Sequence, residues 1–93
     1  MRQEEIFRAL ADPSRRRILK LLQRGSMTAG ELTQRFDVSG ASMSHHFSVL
    51  KAADLVRTTR RGQHIVYSLN TTVLEDLSRL LMDLLGTRDG GRT

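Results

Sequence analysis

Two short helical patterns joined by a tight polar turn, with a β-rich hairpin directly behind the second, constrain this 93-residue chain more than any other feature. The segment opens with Thr28-Ala29-Gly30-Glu31. This is a capping-box signature, in which the threonine hydroxyl accepts a backbone N–H and the glutamate reaches back to the cap. Leu32 and Phe36 follow four apart and share one helical face. Asp37-Val38-Ser39 supplies the turn, with Val38 as its buried anchor and Ser39 as the N-cap of the next helix. Met43, Phe47 and Leu50 then recur at i, i+4, i+7 and predict the inward stripe of a helix over about residues 40–53. Helix, turn, helix and hairpin in that order is how a winged helix-turn-helix presents one helix to the DNA major groove. The fold class that follows is mainly α with a β-hairpin, in the order α-α-α-α-β-β-α.

The outward face of the second helix carries Gly40, Ala41, Ser42, Ser44, His45 and Ser48, with no charge before Lys51. A helix that only had to be soluble would carry Glu and Lys there, since both favour helix and hydration. Small, neutral, hydrogen-bonding side chains instead let a helix backbone approach base edges, where serine donates or accepts and alanine packs on a thymine methyl. With Ser39 at the cap, these are the candidate DNA-reading residues. A polar helix in a purely structural bundle is the competing reading, and the hairpin and the basic charge weigh against it.

Charge points the same way. Fifteen Lys and Arg against ten Asp and Glu leave a formal charge of +5, which makes a polyanion the natural partner. The excess belongs to the helices and hairpin, since the cations fall mostly before residue 62. Cysteine is absent, so no disulfide framework, thiolate metal site or thiol switch is available, and the reducing cytoplasm is the expected compartment. The N-terminus lacks the apolar core of a signal peptide, and no apolar run approaches a membrane span.

Upstream, Ile6, Phe7 and Leu10 form the apolar face of a first helix ending near Ala11. Asp12 caps a second helix over about residues 14–24, with Pro13 at its first position, where the missing N–H costs nothing. Ile18, Leu19, Leu21 and Leu22 face the core and Gly25 closes the helix. Three consecutive arginines, Arg15 to Arg17, point in different directions, so most of them belong to a solvated face with some intramolecular pairing. Downstream, Val56-Arg57-Thr58-Thr59 reads as a strand, Arg60-Arg61-Gly62-Gln63 as a turn, and His64-Ile65-Val66-Tyr67-Ser68-Leu69 as a second strand. Arg60 and Arg61 at the tip of a wing over about residues 57–67 suit phosphate neutralisation or minor-groove insertion. The plainer role for such charges is to keep an edge hairpin from aggregating.

From Asn70-Thr71-Thr72 a last helix runs to Gly86. Val73, Leu74, Leu77, Leu80, Leu81, Leu84 and Leu85 make a leucine stripe wider than a small domain needs to cover itself, which points to a dimer interface. Val73 and Leu77 suit packing on their own domain. Residues 1–86 are read as one DNA-binding and dimerisation domain, and the Gly-rich residues 87–93 as a disordered tail.

Several segments together carry a family resemblance. They are Leu10-Ala11-Asp12-Pro13-Ser14-Arg15-Arg16, the MTAGEL start at Met27, Ser44-His45-His46-Phe47-Ser48-Val49-Leu50, Ala53-Asp54-Leu55-Val56, and Arg61-Gly62-Gln63 through Tyr67-Ser68-Leu69. Over nearly the whole chain the sequence resembles the ArsR/SmtB winged-helix repressors. The ending Tyr67-Ser68-Leu69-Asn70-Thr71-Thr72-Val73-Leu74 is similar to the metal-independent, SdpR-like autorepressor branch. The resemblance implies a homodimer pairing through the first and last helices, with Ile6 and Phe7 joining Leu77, Leu80, Leu81, Leu84 and Leu85 at the interface. It also implies a palindromic operator in double-stranded DNA, read by the helix around Ser42 to His45, and repression by promoter occlusion.

The chain departs from the metal-sensing relatives. Where their helix before the turn carries a cysteine-containing metal box, Glu31-Leu32-Thr33-Gln34-Arg35 holds no thiolate, and the last helix offers Asp76 and Asp83 without histidine. His45 and His46 point ~100° apart on a helix and cannot chelate one ion. No metal or cofactor is therefore expected. His45 is read as a groove residue, His46 as packed or hydrogen-bonded within the domain, and His64 as structural. An enzyme is excluded: there is no phosphate-binding glycine loop or paired-carboxylate pocket, and Ser44 and His45, as helix neighbours, do not face each other. A protein-interaction module or anti-activator on the same fold is the alternative function. Relief of repression by an unidentified regulatory protein, relief by a small apolar ligand at the dimer interface, and simple autoregulation without an inducer all stay open.

Overall fold

A computed structural model of the chain describes residues 1–86. The tail expected at 87–93 lies outside the described residues. Five helices and three strands follow in the order α1 Gln3–Leu10, α2 Pro13–Leu22, β1 Met27–Thr28, α3 Ala29–Thr33, α4 Gly40–Ala52, β2 Val56–Arg61, β3 His64–Leu69 and α5 Thr71–Leu85. The strands form one antiparallel sheet ordered β1-β3-β2.

The helix starts follow the capping chemistry of the sequence. Asp12 accepts from the Ser14 backbone N–H at 2.7 Å with Pro13 at the first helical position. The capping box is complete: Thr28 Oγ1 accepts from Glu31 N at 3.1 Å while Glu31 Oε1 accepts from Thr28 N at 2.8 Å. Ser39 Oγ accepts from Ser42 N at 3.1 Å and starts α4. Gly86, with φ of 80°, ends α5 in the left-handed region that glycine adopts without penalty.

One core gathers Ile6 and Ala9 of α1, Ile18, Leu19 and Leu22 of α2, Leu32 of α3, and Met43, Phe47 and Leu50 of α4. Leu55 and Val56 join it from the corner after α4, Tyr67 from β3, and Val73 and Leu77 from α5. The Phe47 and Tyr67 rings stack with centroids 4.7 Å apart, tying α4 to the sheet. The same burial pushes the Tyr67 hydroxyl pKa up.

Four local expectations are corrected. Helix α3 ends at Thr33, so Phe36 leaves the helix and packs half-buried against the core, while Val38, expected as the anchor of the turn, is 43% exposed. Phe36 takes the anchoring place, with the Arg17 guanidinium 4.8 Å above its ring. The wing turn is two residues, not four: Arg60 and Arg61 continue β2, Arg61 pairs with His64, and Gly62 at φ of 60° supplies the backbone that a two-residue hairpin needs. Strand β1, which the sequence pattern does not predict, exists because Thr28 serves twice. The extended backbone of the α3 cap, φ −74° and ψ 159°, also lets Thr28 pair with Val66.

The fourth correction concerns Arg15, which lies buried at 8% exposure and not on a solvated face. Its Nε donates to the Ala9 carbonyl at 2.9 Å, which the end of α1 leaves open, and its Nη2 to the Arg8 carbonyl at 3.0 Å, which also accepts from the Ala11 backbone N–H. Its Nη1 reaches His46 Nδ1 on α4 at 3.3 Å. Arg16 covers the Leu10 carbonyl at 2.6 Å from outside. Asp12 stands 3.8 Å from Arg15. Partial burial works against ionisation of Asp12, but the Ser14 N–H and the nearby His46 and Arg15 outweigh it and hold the carboxyl below its ordinary value. A lowered carboxylate contributes stability above its unfolded range and loses it as pH falls through the folded value.

Arg15→Met keeps the packing of the stem, strips the Ala9 carbonyl and His46 of their donor and leaves the Arg8 carbonyl only the Ala11 N–H. It is expected to lower the unfolding free energy by about 2–4 kcal/mol, read from urea denaturation midpoints. Arg16→Ala, removing one exposed hydrogen bond, should move the midpoint little. Equal midpoints for the two variants would refute the role of Arg15 as the join between α1 and α2.

Candidate nucleic-acid interface

Helix α4 divides as its sequence predicts. Met43, Phe47 and Leu50 are buried, and Gly40, Ala41, Ser42, Ser44, His45 and Ser48 are all exposed along one side, with Ser39 exposed at the cap. Ser39 and Ser42 are held locally, since Ser39 Oγ donates to Ser42 Oγ at 3.2 Å. Among the described residues Ser44 and Ser48 make no side-chain hydrogen bond, so their hydroxyls remain for an outside partner. The exposed face holds no formal charge, and a surface of small groups and hydroxyls is one that a base edge can approach.

This helix is fixed from behind at several points. Phe47 stacks on Tyr67, His46 meets Arg15, and Arg2 Nη1 donates to the Ala52 carbonyl at 3.0 Å. At the corner after α4, Asp54 adopts φ of 60°, a left-handed conformation that Asp tolerates better than most residues. Buried Asn70 locks that corner. Its Nδ2 donates to the Asp54 carbonyl at 2.9 Å, its backbone N donates to the Leu55 carbonyl at 3.0 Å, and its Oδ1 accepts from Arg57 Nη2 at 3.3 Å. Asn70 makes no side-chain cap to α5, although an Asn before a helix signals one. Its role in setting the angle between α4 and the wing has no local signature in the sequence, because the carbonyl it bonds lies sixteen positions upstream.

The two wing arginines do not form a single patch. Strand alternation and the register place Arg61 opposite His64 and Arg60 opposite Ile65, so the two guanidinium groups leave the hairpin from opposite faces near its tip. Both are exposed. The face with Arg61 also carries Thr59, His64, Val66 and Ser68, and together with Ser26, Thr28 and Glu31 these line a shallow polar depression. His64, read from the sequence as structural, is exposed there. A second, more apolar groove runs between α1 and α4, with Arg8 and Glu5 on one wall and His45, Ser48, Val49 and Ala52 on the other.

Away from α4 and the wing, α5 carries an open apolar surface. Val73 and Leu77 are buried in the protomer's own core, and Leu74 and Leu80 pack half-buried against it. Leu81 is 47%, Met82 49%, Leu84 74% and Leu85 75% exposed, and Phe7 of α1 is 47% exposed. Ile6 and Leu77, both expected at a subunit interface, are 0% and 7% exposed: their side chains fill the protomer's own core and leave almost no surface for a partner. Asp76 of α5 pairs with Arg79, and the His45 and His46 rings stand 6.1 Å apart at 50°, so neither pair presents converging ligands. Among the described residues no group of three or more His, Asp or Glu is placed to hold a metal ion, and no helix is long and apolar enough to cross a membrane.

Residues 10–59 match the family described as a helix-turn-helix domain. The chain is 45% identical to the transcriptional repressor SdpR of Bacillus subtilis (strain 168), over 90% of this chain and 93% of that protein. It is 37% identical to the arsenical resistance operon repressor of Staphylococcus xylosus, over 92% of this chain and 82% of that one. The crystal structure of an ArsR family transcriptional regulator superimposes with a TM-score of 0.77 at 31% identity, covering 95% of this chain and 100% of that one. The chain belongs to the ArsR/SmtB family of winged helix-turn-helix repressors. The matched helix-turn-helix segment holds α2, α3, α4 and most of β2. Its fold and relatives are those of transcriptional regulators and not of enzymes.

Proposed function

We propose that this ArsR-family chain works as a cytoplasmic homodimer that represses transcription by binding a palindromic operator, with α4 in the major groove and the β2–β3 wing on phosphates or in the minor groove. The observation that carries this reading is the uncharged, solvent-facing side of α4, a run of serines, Ala41, Gly40 and His45 on a helix braced from behind at Phe47, His46 and Ala52. Ser42, Ser44, His45 and Ser48 are assigned to base edges, with Ser39 and the backbone at Gly40 and Ala41 close to the DNA. Arg60 and Arg61 are assigned to the DNA backbone or minor groove on either side of the tip.

The second subunit is inferred from the apolar end of α5. Monomeric soluble proteins rarely leave an apolar stretch like Leu81, Leu84 and Leu85 on one helix end in water, and Phe7 of α1 is a further exposed apolar side chain. Each leucine fully buried by a partner stabilises the dimer by about 1.5–3 kcal/mol. Two-fold pairing through this surface presents two copies of α4 to two half-sites, the geometry that an operator with two-fold symmetry mirrors. The ligand chemistry of the described residues favours a regulator that does not sense metal. Release by a partner protein, release by a small ligand, and autoregulation without an inducer are all compatible with such a regulator.

Sedimentation of the wild-type chain at micromolar concentration should give a dimer, and Leu81→Glu with Leu84→Glu should give a folded monomer. A wild-type monomer that still bound a palindrome tightly would overturn the α5 interface.

The two groups of DNA-facing residues should fail differently. Arg61→Ala is expected to weaken binding to operator and random duplex alike and to flatten the plot of log K against log salt by about 0.9 for each phosphate no longer neutralised. Ser44→Ala or His45→Ala should cost roughly 1–3 kcal/mol on the operator, with little change on random DNA and relaxed preference at symmetry-related base positions. Normal operator binding by all three variants would favour a protein-interaction module instead.

Zinc, nickel or arsenite at stoichiometric concentration should leave the protein–DNA complex intact in a gel shift. Release at low micromolar metal, reversed by a chelator, would show a ligand set that the monomer does not assemble.

A further inference from the structure

We propose that His64 is a second phosphate-contacting side chain of the wing, acting as a pair with Arg61, and that DNA binding is accompanied by proton uptake at His64. The proposal rests on the wing reading above. Arg61 and His64 are directly opposite each other and flank the two-residue turn at Gly62 and Gln63. Directly opposed residues project from the same face with Cβ atoms about 5 Å apart. A tip that brings Arg61 to the DNA backbone therefore brings His64 with it. Both side chains are exposed, and among the described residues neither has a hydrogen-bond or ion-pair partner.

The groups that face His64 come from both strands of the hairpin and from the segment before it in the sheet. Arg57 and Arg61 project from β2 on the same face, with Thr59 between them, and β3 adds Val66 and Ser68. Ser26 before β1, Thr28 of β1 and Glu31 of α3 complete the depression, and the Glu31 carboxylate is engaged by the Thr28 backbone N–H. Arg60 leaves from the opposite face. In the free protein the imidazole at position 64 thus faces the Arg61 guanidinium across the hairpin. A phosphate set against both groups accepts a hydrogen bond from each and favours the charged imidazole. Histidine is the side chain whose charge changes near neutrality, so binding and protonation are linked: DNA favours the proton, and the proton favours DNA by the same factor.

The test is the affinity of the full chain for a labelled duplex of random sequence at pH 6 and pH 8, at several salt concentrations. The wild type, His64→Gln, His45→Gln and Arg61→Ala are compared. Random sequence isolates backbone binding from base reading at His45. The wild type is expected to bind on the order of three- to tenfold more tightly at pH 6, with a salt slope steeper by about 0.9 per protomer. His64→Gln should show no such tightening at pH 6, whereas His45→Gln should keep it. A wild type without the tightening, or His64→Gln retaining it while Arg61→Ala flattens the salt slope at pH 8, would overturn the assignment of His64 alone. No change of slope in Arg61→Ala would overturn the wing reading and this proposal with it.

Discussion

The guanidinium of Arg15 is the group on which the arrangement of the helices depends. A charge at 8% exposure persists only where its donors are used, and Arg15 donates to two carbonyls at the end of α1 and to His46 on α4 while Asp12 balances it. Three helices that share no backbone hydrogen bonds are thereby joined at one point. The planar fork explains why the position suits arginine: a lysine ammonium on a similar stem cannot reach carbonyls on one side and an imidazole on the other from a fixed plane. Packing of Ile6, Ile18 and Phe47 supplies the larger part of the stability, but apolar packing is non-directional, and the guanidinium defines the angle at which it is made.

That angle matters because the proposed DNA surface is spread over two elements far apart in the fold. Helix α4 and the tip of the hairpin must meet one duplex together, so the corner between them has to be rigid. Asn70 provides this by bonding Asp54, Leu55 and Arg57 from the far end of the hairpin, closing the loop of chain that contains the entire wing. Within that loop the two-residue turn decides which side chains flank the tip. A single-residue change in its length would move the whole pattern of β3 to the other face and would exchange His64 for its neighbour opposite Arg61.

Helix α5 combines two uses of one apolar stripe. Its first half, with Val73 and Leu77, belongs to the protomer core, and its second half projects Leu81, Leu84 and Leu85 beyond it. The division follows from geometry: a fifteen-residue helix is longer than the small core beneath it, so the leucines past Leu80 run out of partner atoms within the chain.

Local signals, all within three or four residues of the position they govern, made much of this legible from sequence. The Asp12, Thr28 and Ser39 caps, the inward Met43, Phe47 and Leu50, and the end of α5 at Gly86 depend on the periodicity and hydrogen-bonding reach of the chain itself. The uncharged face of α4 was legible for the same reason. What only the tertiary structure decided are the features set by partners remote in sequence: the burial of Arg15 against His46, the locking of Asp54 by Asn70, the pairing of Met27 and Thr28 with β3, and the replacement of Val38 by Phe36 as anchor. The register that sets Arg61 opposite His64 belongs with them, because an extended chain can pair in several ways and only the turn and the packed face beneath it select one. Composition and spacing say which side chains are available. Which of them meet depends on distances that close only when the core does.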